Sequence, residues 1–319
     1  MPSFVREFEE YAASLGLKFD CNIEEDGQLH RAQIDGDKKN SKNGWYIYHN
    51  EIIPVCIFGT WKGEQKHVWS AKHKKEMNKA ELNKIKLLLK ESSRKAQRQR
   101  MLEQKAAAVD CGEIYNKGIE LTEHTYLNNK LIKTNDVLRL GEKGALIIPV
   151  VNQSGVLASL QYIYPNGKKI FHPSGSIKGG FCPINGEGEV IFVCEGYATG
   201  ATINEATGNK VYVAFNCGNL QSVARYAQNM HQHNMIVIAG DDDFMTKEPI
   251  DNPGKHHAEI AGKALGVSVI YPKFNSYQRK KYQTDFNDMH HEGATNSDDN
   301  YVKNHILSEL DRLIGGQLS

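Results

Sequence analysis

A chain of 319 residues can hold two or three domains with their own cores, and 40% apolar with 24% charged residues is the balance of a folded globular protein. No apolar run approaches the roughly 20 residues that cross a bilayer, and Met1-Pro2-Ser3-Phe4-Val5-Arg6 lacks the apolar core of a secretory signal. A cytoplasmic protein with no membrane partner is therefore expected, and its net charge of +1 excludes a uniform polycation.

The charge is unevenly spread: Lys and Arg crowd Lys62 to Lys105, and carboxylates gather from Glu187 onward. That asymmetry points to one face for nucleic acid and another for metal. The six cysteines (Cys21, Cys56, Cys111, Cys182, Cys194, Cys217) form no Cys-x-x-Cys pair, so no zinc site is expected and the thiols should be reduced and mostly buried.

Phe4, Phe8, Tyr11, Ala12 and Leu15 recur at helical spacing up to Gly16, which predicts a short opening helix. From Gly27 to Ser70 short β-prone pieces alternate with turn residues, predicting a small antiparallel sheet with an aromatic core. There Lys38, Lys39, Lys42, Trp45, Trp61 and Lys62 mix basic and aromatic groups as single-stranded nucleic acid requires, although Trp45 and Trp61 are equally well read as core residues. Lys72 to Ala108, free of Gly and Pro, predicts one long wet helix whose basic excess at Arg94, Lys95, Arg98 and Arg100 suits a phosphate-bearing partner or a plain solvated linker.

Residues 110–183 predict a second small α/β region, with turns at Gln153-Ser154-Gly155 and Asn166-Gly167. Lys168, Lys169, His172 and Lys178 could line a groove for template or nucleotide phosphates, with Gly179 and Gly180 either admitting a phosphate to the backbone or forming a simple turn. Strands at Val190–Cys194, Val211–Phe215, Met235–Ala239 and Val267–Tyr271 then alternate with helices at Ala198–Ala206, Gln221–Met230 and a third ending at Leu265. Such alternation means βαβ units and a parallel sheet. Parallel strands deliver their C-terminal ends to one edge, so Glu195 and Asp241-Asp242-Asp243 should meet there. Converging carboxylates need cations, and Mg2+ or Mn2+ takes oxygen ligands while leaving positions for phosphates.

Glu195 closing one strand and Asp241-x-Asp243 closing a later one resemble the signature of the Toprim domain, the metal-binding core of bacterial-type primases, topoisomerases and certain nucleases. Asp285-Phe286-Asn287-Asp288 resembles the motif that closes the Toprim region of phage and plasmid primases. His30-Arg31 through Lys38-Lys39, Gly44-Trp45-Tyr46 and Phe58-Gly59 with Trp61 resemble the N-terminal module of those proteins, here without the cysteine pairs of a zinc ribbon. Pro149 to Gly155 and Lys178-Gly179-Gly180-Phe181 resemble phrases of their basic subdomain.

The resemblance implies an α/β protein, a Toprim-type parallel sheet core preceded by a small β-rich module, a long basic helix and a basic α+β subdomain. Its divisions are residues 1–71 (β-rich module), 72–109 (linker helix), 110–188 (basic subdomain), 189–290 (Toprim domain) and 291–319 (C-terminal helix). It implies a DNA primase, with Glu195, Asp241 and Asp243 catalytic and metal-binding, Asp285 a further ligand, and Lys168, Lys169, His172, Lys178, Arg94, Arg98, Lys38 and Trp61 on nucleic acid or nucleotide. Single-stranded DNA, ribonucleoside triphosphates and a separate replicative helicase are the implied partners, since the chain has no Gly-x-x-x-x-Gly-Lys-Ser/Thr loop. The same acids would serve a Toprim nuclease, and a non-catalytic nucleic-acid-binding or recombination-mediator protein is the third reading.

Overall fold

The structure is a computed structural model describing residues 4–39, 41–51, 53–61 and 65–315, without the side chains of 314 and 315. Lys62, expected among the basic residues of the N-terminal module, lies outside the described residues. The chain divides into two compact units, Met1–Leu102 and Glu103–Ser319.

In the first unit α1 (Val5–Ser14) precedes an antiparallel sheet of β1 (His30–Ala32), β2 (Gly44–His49), β3 (Val55–Thr60) and β4 (Gln65–Ser70), paired in that order. Alternation along β2 and β3 sends Tyr46, Tyr48, Cys56 and Phe58 to one face, where Phe8 and Ala12 of α1 cover them. Trp45, Ile47 and Ile57 go to the other face and meet Leu89 and Ala96 of α2 (Lys79–Lys117).

The expected helix is thus displaced: residues 74–76 form a single 3₁₀ turn, and α2 runs nine residues beyond Ala108. Its start is a reciprocal cap, in which the Glu81 amide donates to Asn78 Oδ1 at 3.0 Å and the Asn78 amide to Glu81 Oε2 at 2.7 Å. Its continuation through Gly112 is driven by packing, because Cys111, Ile114 and Tyr115 cluster with Ile147 and Leu160. Burial of that face outweighs the cost of about 1 kcal/mol for a mid-helix glycine.

The second unit opens with an antiparallel sheet of β5 (Ile119–Glu120), β6 (Arg139–Leu140), β7 (Leu146–Val151), β8 (Leu157–Ile163) and β9 (Lys169–Phe171), with α3 (Thr125–Lys130) between its first two strands. Both predicted turns are present, with Gly155 and Gly167 at φ +75° and +80°. The second sheet comprises β10 (Cys182–Ile184), β11 (Val190–Cys194), β12 (Lys210–Val213), β13 (Met235–Ala239) and β14 (Ser268–Ile270), in the order β10-β12-β11-β13-β14. The last four are parallel as expected, and β10 adds an antiparallel edge strand not foreseen.

Helices α4 (Tyr197–Thr207), α5 (Leu220–Met230) and α6 (Pro253–Leu265) connect the parallel strands. Two apolar clusters lie on opposite faces of this sheet, one around Phe192, Val213 and Val237 and one around Ile191, Val193 and Ile238. Strands buried on both faces account for their near-continuous apolar runs. After β14 come α7 (Ser276–Lys280), α8 (Phe286–Thr295) and α9 (Tyr301–Gly315), the last burying Val302, Ile306 and Leu310 against the first of those clusters. Among the described residues no helix is long and apolar enough to cross a membrane.

Candidate active site

The path from β11 leads to β12 on one side, and the path from β13 leads to β14 on the other, so connections diverge between β11 and β13. A crevice opens at such a switch point, at the C-terminal strand ends. The register pairs Cys194 with Ala239, so Glu195 and Gly240 leave the sheet side by side and Asp241 follows.

Gly254, in the first turn of α6, closes the floor. A Cβ there would lie 2.9 Å from Asp243 Oδ2 and 3.1 Å from Glu195 Oε1, so only glycine leaves room between the two carboxylates. Its amide donates to Asp243 Oδ2 at 3.0 Å, placing that carboxylate at the positive end of a helix. Asp285 arrives from α8, which it caps by accepting the Asp288 amide at 2.8 Å. The Asp242 amide donates to Thr284 O at 2.8 Å, which ties the turn after β13 to the residue before Asp285.

The four acids disturb one another. Burial first, then Asp243 and Asp285, push the Glu195 carboxyl up to about 7, against a restraining bond from the Cys217 amide. Asp241 is raised well above the usual carboxylate range by burial and then by Glu195, Asp285 and Asp243. Asp285 is raised by burial and by Asp288. Glu195 Oε1 and Asp241 Oδ1 are buried with no hydrogen-bond partner.

Buried anionic oxygens without donors are costly, and an all-oxygen donor set suits Mg2+ or Mn2+ better than Zn2+. The residues therefore fit a hard divalent cation. Among the described residues, these acids do not form a group of three whose ligand oxygens all lie within 4.8 Å of one another.

Two lysines act electrostatically on the acids. Lys169 of β9 is exposed along its stem, but its ammonium lies 5.2 Å from the centre of the Tyr126 ring, in a recess that depresses its pKa by burial and by the nearby Lys130. Asp285 and Asp241 act in the opposite direction on Lys169. Lys130, at the end of α3, also stabilises the Asp285 carboxylate.

Neither Lys130 nor Tyr126 is marked by any motif. Lys130 is tied to the site by Asn287, whose Nδ2 donates to Lys130 O at 2.7 Å and to Thr202 Oγ1 at 3.0 Å. The Asp-Phe-Asn-Asp phrase is thus a structural clasp as well as an acid source: Phe286 fills the core and Asn287 brings the end of α3 to the acidic edge.

Other expected residues fall differently. His172 accepts or shares a bond with Tyr162 Oη at 2.9 Å, and burial lowers its pKa, so it adds no charge near neutrality. The Gly179 amide donates to Asn219 Oδ1 at 2.8 Å and the Gly180 amide to Ile177 O at 2.8 Å. Both amides are therefore engaged within the chain, that of Gly180 in a turn and that of Gly179 by a distant side chain, which favours the structural reading of the two glycines. Lys168 and Lys178 are exposed on the turn regions flanking β9.

In the first unit Trp45 is 3% exposed and stacks on Trp61 at 5.0 Å, with the Arg100 guanidinium 5.2 Å from the centre of the Trp61 ring. Trp45 is a core residue, and the ring contacts of Trp61 are intramolecular. Lys38, Arg94 and Arg98 are exposed. Among the described residues one group of three ligand-type side chains does converge, Glu24, Asp26 and His30. Asp26 and Glu24 lie against opposite nitrogens of His30, at 2.8 and 3.6 Å, so the imidazole bridges the two acids.

Strand order, register and the carboxylate edge define an open-sheet α/β protein with an anionic site at its switch point. No protein-family model matches the sequence. Two curated proteins of Escherichia coli, each named DNA primase TraC, do align with it. One is 31% identical over 291 residues, covering 86% of this chain and 27% of the relative. The other is 30% identical over 292 residues, covering 86% of this chain and 20% of the relative. The chain thus spans about a quarter or less of the length of the relatives it matches, and the primase resemblance read from its motifs extends over most of its residues. The primase fragment of the bacteriophage T7 primase-helicase protein superposes at a TM-score of 0.36 with 15% identity, over 55% of this chain and 66% of that one. The fold class rests on the strand order and register above.

Proposed function

We propose that the chain carries the catalytic core of a DNA primase, joining ribonucleotides on single-stranded DNA by Mg2+- or Mn2+-dependent nucleotidyl transfer within a Toprim-type site. The observation that carries this reading is the pair of partnerless buried oxygens, Glu195 Oε1 and Asp241 Oδ1, at the C-terminal strand ends of the parallel sheet. The similarity to proteins named DNA primase supports the choice among Toprim chemistries.

In this reading Glu195, Asp241 and Asp243 hold the cation, with Asp285 as the fourth wall. A bound divalent ion lowers the pKa of an attacking 3′-hydroxyl and neutralises the triphosphate. Glu195 is assigned as a ligand or as the general base that takes the hydroxyl proton, with pyrophosphate leaving. Lys169 and Lys130 hold the phosphates of the incoming nucleotide opposite the acids, with Lys178 and Lys168 further along the same subdomain. Single-stranded template is assigned to the first unit through Lys38, Arg94 and Arg98, and unwinding to a separate helicase.

The test is incubation with circular single-stranded DNA, Mg2+ or Mn2+ and labelled ribonucleotides. Template-dependent short RNA is expected. Shortened DNA without synthesis would replace the reading by a nuclease, and a gel shift alone by a binding protein.

A further inference from the structure

Three aspartates stand in a row after β13, yet the middle one points away from the acidic edge. Asp242 is 8% exposed. Its Oδ2 accepts Arg279 Nη2 at 2.6 Å, and its Oδ1 accepts Asn252 Nδ2 at 2.7 Å.

Each partner is itself tied to the site. Asn252 sits in the left-handed region at φ 48° and caps α6, the helix whose Gly254 amide holds Asp243. Arg279, on α7, also lies 4.8 Å from the centre of the Phe244 ring, so it clamps the residue after Asp243 as well. The Asp242 amide holds Thr284, next to Asp285.

We infer that Arg279 is a positioning residue for the metal site: by pairing with Asp242 it fixes the turn that aims Asp241 and Asp243 in one direction, and it removes a third carboxylate from competition for the cation. The inference rests on the proposed metal site. A buried carboxylate deprived of its cationic partner must either find another cation or turn outward. Both responses rotate a backbone whose neighbours are the ligands. Mg2+ demands near-octahedral geometry, whereas Mn2+ is bound by the same oxygens with less strain on geometry, so the loss falls hardest on Mg2+. Groups that orient metal ligands typically change affinity by about 10- to 100-fold.

The experiment measures Mn2+ binding to the whole chain by electron paramagnetic resonance, and Mg2+ by competition, for wild type, Arg279→Met, Arg279→Lys and the double variant Asp242→Asn with Arg279→Met. Circular dichroism and a thermal melt accompany each. Expected are weaker binding in Arg279→Met by about tenfold or more, partial recovery in Arg279→Lys, and recovery in the double variant, in which no unpaired charge remains. An Arg279→Met protein that is folded and binds both ions as wild type does overturns the inference while leaving the metal site standing. So does a double variant as weak as the single one. A wild-type protein that binds no Mn2+ overturns the metal site itself, and the inference with it.

Discussion

Both units bury polar atoms that lack partners, and one pair in the second unit differs in kind from the ring donors of the first. In the first unit they include Trp45 Nε1, Trp61 Nε1 and Tyr48 Oη, neutral donors on rings packed for their apolar area. In the second they include Glu195 Oε1 and Asp241 Oδ1, carboxylate oxygens beside further carboxylates. An unsatisfied neutral donor costs about 1–3 kcal/mol, which a buried tryptophan recovers through packing. Mutually repelling buried acids have no such compensation within the chain. The ring donors are a tolerated by-product of a core, and the two carboxylate oxygens call for a ligand.

The comparison breaks most visibly if the acids prove dispensable. Asp241→Ala and Asp243→Ala should each lower ribonucleotide incorporation by about 1000-fold or more, because charge stabilisation at the transferring phosphoryl is nearly all the protein contributes. Incorporation within tenfold of wild type, in a folded variant, would remove both from the site.

Lys169→Ala should follow, with kcat/KM for the incoming nucleotide down by about 10- to 100-fold. Lys168→Ala, whose target is exposed on the turn before β9, should change it much less. Equal effects at the two positions would show that the recess around Tyr126 confers nothing special.

Legibility in the sequence follows the same division. Parallel strands, their helices and the meeting of Glu195 with Asp241 and Asp243 were readable, since apolar runs ending in charge have one solution in such a sheet. Asp285 was readable from its motif, and so was its cap. Lys130 was not, because it reaches the site through Asn287, across 157 residues, and no local pattern encodes that pairing. The end of α2 was missed for a related reason: Cys111 and Ile114 are held by a sheet that lies later in the chain. Its start was missed although Asn78-x-x-Glu81 announces it. Trp45 and Trp61 carried two readings because aromatic spacing in a short strand looks the same for a core and for a binding platform.

Proton linkage gives a third test. The Glu195 carboxyl is near 7 in the folded, metal-free protein against an ordinary value in the low fours, so between those values the folded state binds more protons than the unfolded state. Stability from this group is present at low pH and is lost as pH rises through about 7. The metal-free protein should therefore be less stable at pH 8 than at pH 6 by on the order of 1–3 kcal/mol, and Mg2+ should abolish most of the difference. A melting profile with the same slope in Asp241→Asn and Glu195→Gln proteins would locate the effect elsewhere.

The smallest expected effect concerns the first unit, where Arg94 and Arg98 are exposed. Arg94 and Arg98 lie four residues apart, on one exposed side of α2. If that side tracks single-stranded DNA, the double variant Arg94→Ala with Arg98→Ala should lower affinity only a few-fold at moderate salt. The sharper readout is the slope of log affinity against log salt, which should become shallower by about 0.7 for each phosphate that no longer has a cationic partner. The slope separates weaker ion pairing from a loss of fold, since unfolding changes the amount of active protein and leaves the slope of the remainder unchanged. An unaltered slope would make this side of α2 a solvated helix face and confine the proposed nucleic-acid chemistry to the second unit, where the buried acids already require a counter-charge.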